Sequence, residues 1–119
     1  MPVALSFRSA PQYLVATCTG AATLQDFFGA IDALAAETRR VGATRLLVDL
    51  RGVTEQFRFT DQFSIGERAR ASLSHLERMA SLVPEHRRTG TSEQVANQQG
   101  ILLRVFTLPA AADAWLSQP

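Results

Sequence analysis

Residues 44–50 read Thr-Arg-Leu-Leu-Val-Asp-Leu, with three apolar side chains in succession at Leu46, Leu47 and Val48. Successive side chains on a strand point to opposite faces, so such a run predicts a strand buried on both sides, as in a parallel sheet with a layer on each face. What precedes it fits. Thr23 can cap a free backbone N–H, and Asp26 stands three residues on, a near capping box whose charge suits a helix start. Leu24, Phe27, Phe28, Ile31, Leu34 and Ala35 follow at helical spacing, with Gln25, Asp32 and Glu37 on the other side. Arg39 and Arg40 favour the last turn and Gly42 is a natural stop.

Working outward, residues 3–8 and 13–19 read as two strands joined by a tight turn at Ala10-Pro11, hence a hairpin. On the other side Arg51-Gly52 ends the central strand, and residues 53–59 form a connection carrying Phe57 and Phe59. A long second helix is expected from Thr60-Asp61 to about Arg78, buried along Ile65, Ala69, Leu73 and Leu76. Gly66 weakens its first turns by about 0.5–1 kcal/mol relative to Ala. Residues 79–83 read as a short buried strand closed by Pro84, and residues 93–99 as a third helix ended by Gly100. Residues 101–107 form the last strand. Pro109 opens a terminal helix pinned by Trp115 and Leu116. The order β-β-α-β-α-β-α-β-α predicts one α/β domain over residues 1–119, a mixed four- or five-stranded sheet with four helices.

The chain has 119 residues, 46% hydrophobic, with 12 basic against 11 acidic groups. That is too apolar for a disordered chain, and the charge balance argues against a general nucleic-acid binder. Every basic residue is Arg, which reflects base composition more than function. Cys18 is alone, so no internal disulfide or Cys-rich zinc site can form, and it reads as a small buried thiol. The N-terminus lacks the pattern of a signal peptide, and no uncharged apolar run approaches the roughly 18 residues of a membrane span. A cytoplasmic protein without integral membrane association is expected.

Several short patterns stand in a fixed order: G-x-x-T-x-x-D-F (Gly20, Thr23, Asp26, Phe27), L-L-V-D-L (Leu46 to Leu50) and T-D-x-F-x-x-G-E (Thr60, Asp61, Phe63, Gly66, Glu67). Val95-Ala96, Arg104-Val105-Phe106 and A-x-A-W-L (Ala112 to Leu116) follow. Together they resemble the SpoIIAA-like family of small bacterial proteins, whose fold is similar to STAS domains and to the CRAL-TRIO lipid-carrier domain. The resemblance implies that fold, and by similarity the carriage of an apolar or amphipathic ligand. STAS antagonists carry a D-S-S-G or D-S-T-G motif at the helix after the central strand, where a Ser or Thr is phosphorylated. Residues 58–64 here read RFTDQFS, without that motif, so the resemblance gives no support to a phosphoswitch at Thr60 or Ser64.

The candidate site lies where the central strand hands over to the second helix, the end at which open α/β sheets bind ligands. Phe57, Phe59 and Phe63 fall in residues 54–64, and burying each is worth roughly 1.5–3 kcal/mol. They form either a lid on the core or a mobile flap over an apolar pocket or dimer groove, rimmed by Arg51, Arg58 and Arg87. Thr60 reads as a helix cap, and Arg51, Arg87 and Arg88 near that helix start would make an anion-binding rim. Asp49 requires a partner, Arg104 or Arg51. His75 and His86 show no metal-site spacing, and no nucleophile elbow, Walker loop, dinucleotide fingerprint or other cofactor motif is present. The expectation is a non-catalytic binding or regulatory module acting through a protein partner. The alternative is a carrier of a small apolar or lipid-like ligand in a pocket at the C-terminal end of the sheet. An edge strand and exposed aromatics add self-association as a homodimer.

Overall fold

Five strands form one sheet in the order β1 (Ala4–Ser9), β2 (Leu14–Ala21), β3 (Arg45–Thr54), β4 (Arg78–Leu82) and β5 (Leu103–Phe106). The computed structural model describes residues 3–54, 57–85 and 102–119. β1 runs antiparallel to β2, with Ala4 opposite Thr19 and Ser9 opposite Leu14, and the remaining neighbours are parallel. The mixed α/β fold and the opening hairpin are as the sequence predicts. Three helices are described: α1 (Leu24–Val41), α2 (Phe59–Leu73) and α3 (Pro109–Leu116). The helix expected over residues 93–99 lies outside the described residues.

Right-handed crossovers in one direction place α1 and α2 on the same face of the sheet. There Leu46 and Val48 of β3 pack with Ile31, Leu34, Ile65 and Leu73. Leu47 points the other way and packs with Val15, Ala80, Leu82, Trp115 and Leu116 under α3. The Thr23–Asp26 capping box forms as expected, at 3.1 and 3.2 Å, and Gly42 closes α1 at φ 71°. Tyr13 donates to Asp113 of α3, and burial with this bond pushes its pKa up to about 12. Neighbouring Arg45 and Arg78 hold the last carbonyls of α3: Arg45 Nη1 donates to Leu116 O and Arg78 Nη1 to Trp115 O, both at 2.7 Å.

The structure departs furthest from the sequence expectation at three boundaries, while the second strand runs to Ala21 and the last is confined to Leu103–Phe106. β3 runs on to Thr54 instead of ending at Leu50, because one extra residue is accommodated as a bulge: Thr17 pairs Asp49 but Thr19 pairs Gly52. Asp49 secures it, accepting from the Arg51 backbone N–H at 3.0 Å and from Arg51 Nη2 at 2.9 Å. The bulge reverses the alternation, so Val53 joins Val48 on the α1–α2 face. α2 starts earlier than Thr60, with Arg58 as N-cap. Arginine has no acceptor to offer, and only the reciprocal bond forms, the Arg58 N–H donating to Asp61 Oδ2 at 2.9 Å. α2 ends at Leu73, not near Arg78, because the Thr44 carbonyl at the start of β3 accepts the Glu77 and Arg78 N–H groups and opens β4 there.

His75 lies in the turn after α2, not on a helix. Its Nε2 stands 2.7 Å from Thr38 Oγ1. The Thr38 hydroxyl donates to the Leu34 and Ala35 carbonyls at 2.8 and 3.1 Å, so its one proton is committed and Nε2 must donate to it. His75 Nδ1 is left enclosed and without a partner among the described residues. Burial, and then the Arg39 charge, lower its pKa from 6.5. The unfolded chain therefore takes up a proton that the folded protein refuses. The stability tied to neutral His75 is full above pH 6.5 and lost as pH falls through the depressed folded value. Asp49 and Asp61, both held below 3.8, titrate outside that window. Urea denaturation from pH 7.5 to 5 is expected to show a loss of stability that His75→Gln, which keeps a donor for Thr38, largely removes; equal slopes for the two proteins would contradict it.

Candidate functional site: an apolar cavity under α1 and α2

Between the sheet and its two covering helices lies a cavity of about 100 Å³. Its floor is the strand surface: Cys18 of β2, Val48, Leu50 and Val53 of β3, and Met79 and Ser81 of β4. β5 adds Leu103 and Val105. Ile31 and Leu34 of α1 face Ile65 and Ala69 of α2 across it, and Phe27, Phe57 and Gln62 also line it. The small side chains explain the space, since Gly66 and Ala69 give α2 no bulk where it crosses the strands. Val53 belongs to the wall only through the β3 bulge.

No charged side chain lines the cavity among the described residues. Its polar lining among the described residues is the Cys18 thiol, the Ser81 hydroxyl and the Gln62 amide. Cys18 is 1% exposed, and burial, then the Asp49 charge, push its pKa up to about 11. It stands as a neutral thiol, not a thiolate nucleophile. On the outside, Arg68 of α2 reaches Asp32 of α1 at 2.7 and 3.2 Å and lies 5.2 Å over the Phe28 ring, tying the two roof helices together.

The residues singled out in the sequence are distributed unevenly about this space. Phe57 lines the cavity, packs on the core and meets Phe27 edge-on, ring centroids 5.4 Å apart. Phe59 is the first residue of α2. Phe63 points outward, 43% exposed. Thr60 and Arg58 are exposed at the start of α2, and the Thr60 carbonyl accepts from the Ser64 hydroxyl at 3.1 Å. Arg51 is committed to Asp49, which settles Asp49's partner as Arg51; Arg104 instead lies 5.3 Å from the Phe106 ring and 5.5 Å from Trp115. Neither Arg51 nor Arg58 lines the cavity. Arg87, Arg88 and His86 lie outside the described residues. Sequence reasoning missed Ser81 and Gln62. The available signal was a lone hydroxyl inside a run expected to be a buried strand.

No protein-family model and no curated protein matches the chain. Among solved structures, it is similar to the crystal structure of an uncharacterized protein of the DUF3478 family from Shewanella loihica PV-4, described as having a SpoIIAA-like fold. The likeness has a TM-score of 0.58 at 19% identity and covers 97% of this chain and 93% of that one. The fold is SpoIIAA-like. At that identity the likeness carries the architecture, which agrees with the resemblance drawn from the sequence patterns. Among the described residues no helix is long and apolar enough to cross a membrane.

Phe57 is therefore expected to behave as part of the cavity wall. Phe57→Ala should lower stability by about 2 kcal/mol in urea denaturation, less than a fully buried Phe because the residue is only partly buried. A double-mutant cycle with Phe27→Ala should show coupling of about 0.5–1.5 kcal/mol, as for other edge-on aromatic pairs; strict additivity would contradict the contact.

Proposed function

We propose that the protein is a non-catalytic binding module that carries a small apolar ligand between its sheet and helices α1 and α2. The observation supporting this most is the cavity itself, walled by Ile31, Leu34, Val48, Ile65, Ala69 and Val105. Interiors are ordinarily packed to the density of organic crystals. A space of about 100 Å³, if sealed and unfilled, would cost about 2 kcal/mol at about 24 cal/mol per Å³. A ligand that fills the space recovers the contacts the walls lack, and dry apolar cavities on the order of 150 Å³ take up benzene or xenon. Phe57 and Phe27, rather than an arginine rim, form the aromatic part of the site in this proposal. Docking of a protein partner, the alternative role, draws its support from Phe63, exposed on α2.

Titration of n-pentane into the protein, followed by the methyl resonances of Ile31, Leu34, Val48 and Ile65, is the test. Saturable shifts confined to those methyls are expected, and Ala69→Leu, which fills the cavity from α2, should abolish them while the protein stays folded. Unchanged methyl resonances in the wild type, or binding that Ala69→Leu leaves intact, would overturn the proposal.

A further inference from the structure

We infer that the cavity's ligand is an uncharged molecule with a short hydrocarbon body and a single hydroxyl or carbonyl group, which hydrogen-bonds to Ser81 on the sheet floor. This rests on the cavity being a ligand site, as proposed above.

Among the described lining residues, Ser81 carries the one hydroxyl on the strand floor. In β4, Met79 packs toward α1 and α2 while Ala80 and Leu82 pack under α3, so alternation turns Ser81 to the cavity side, whose lining it joins. Its neighbours in register are Val48 on β3 and Val105 on β5, both also lining the cavity. Ser81 is 8% exposed, yet among the described residues no side-chain hydrogen bond involves it. Nor is its oxygen sealed in protein: the enclosed side-chain atom without a partner, among those described, is His75 Nδ1. The Ser81 oxygen therefore meets the cavity space.

A buried hydroxyl without a partner destabilises the folded state, and buried polar groups are almost always satisfied. Alanine at this position would fit the same strand without that cost. The hydroxyl's capacity to donate and accept is met from within the cavity. Both a hydroxyl and a carbonyl oxygen can answer it, because Ser81 can rotate its proton toward an acceptor or away from a donor. A charged group cannot be accommodated. No charged side chain among the described residues lines the space, and a desolvated carboxylate or ammonium ion needs a counter-charge or several hydrogen bonds. A volume of about 100 Å³ holds a ligand body of about five heavy atoms, given that cavities on the order of 150 Å³ take up benzene.

The test compares two probes of equal heavy-atom count, n-butanol and n-pentane, on the wild type and on Ser81→Ala. Binding is followed by the methyl resonances of the cavity wall and by the Ser81 resonances. Ser81→Ala is expected to weaken n-butanol about tenfold, the loss of one neutral hydrogen bond, and to leave n-pentane within about twofold. The wild-type Ser81 resonances should shift with n-butanol and not with n-pentane. If n-pentane binds and n-butanol is insensitive to Ser81→Ala, Ser81 holds only water: the inference is overturned and the cavity's role as an apolar site stands. If neither probe binds the wild type, both fall together. The n-pentane arm also reports whether Ser81→Ala has kept the cavity and the fold.

Discussion

The architecture depends on a strand that is apolar on two sides. Leu46 and Val48 point toward α1 and α2, Leu47 points toward α3, and all three are buried. At roughly 1.5–3 kcal/mol for each fully buried side chain, neither face of β3 can be left to water. The helices on either side follow from that requirement, as do the parallel crossovers that deliver α1 and α2 to one face. Among the described residues the opposite layer is a single short helix, and it is held by more than apolar contact. Tyr13 ties it to β2, and Arg45 and Arg78, side by side at the start of β3 and β4, grip its last turn. Cations at a helix C-terminus also meet its dipole favourably.

The cavity is the consequence of how that central strand continues. Had β3 kept plain alternation past Leu50, Val53 would have turned away from α2. The extra residue held by Asp49 and Arg51 brings Leu50 and Val53 to the same side, while Gly66 and Ala69 keep the α2 surface low above them. Space arises where a widened floor meets a slender roof. The ion pair at Asp49 is thus a structural device that shapes the site from outside it. Arg51, which the sequence suggests as a rim for an anion, spends its charge there.

Much of the fold was legible because periodicity and capping reported it directly. The 46–48 run, the Thr23–Asp26 box and the Gly42 stop each correspond to a contact in the structure. The boundaries that moved did so where long-range pairing outweighed local pattern. Leu76 stands three residues after Leu73 and is buried either in a helix or in the turn actually formed, so spacing could not distinguish them. Arg51-Gly52 reads as a strand end unless the bulge beside Thr17 and Thr19 is known. The site was only partly legible for the same reason. Phe57 drew attention by its size, whereas Ser81, Gln62 and Cys18 become a set only when β2, β4 and α2 are brought together.

The central claim is that the space beneath α1 and α2 is a real, apolar, occupiable site. Crystals of the protein pressurised with xenon test it most directly. The account predicts an ordered xenon atom against Ile31, Val48, Ile65 and Ala69, with the surrounding side chains little moved. A cavity collapsed by inward movement of α2, or filled by ordered water bonded to several polar groups, with no xenon in it, would contradict the account.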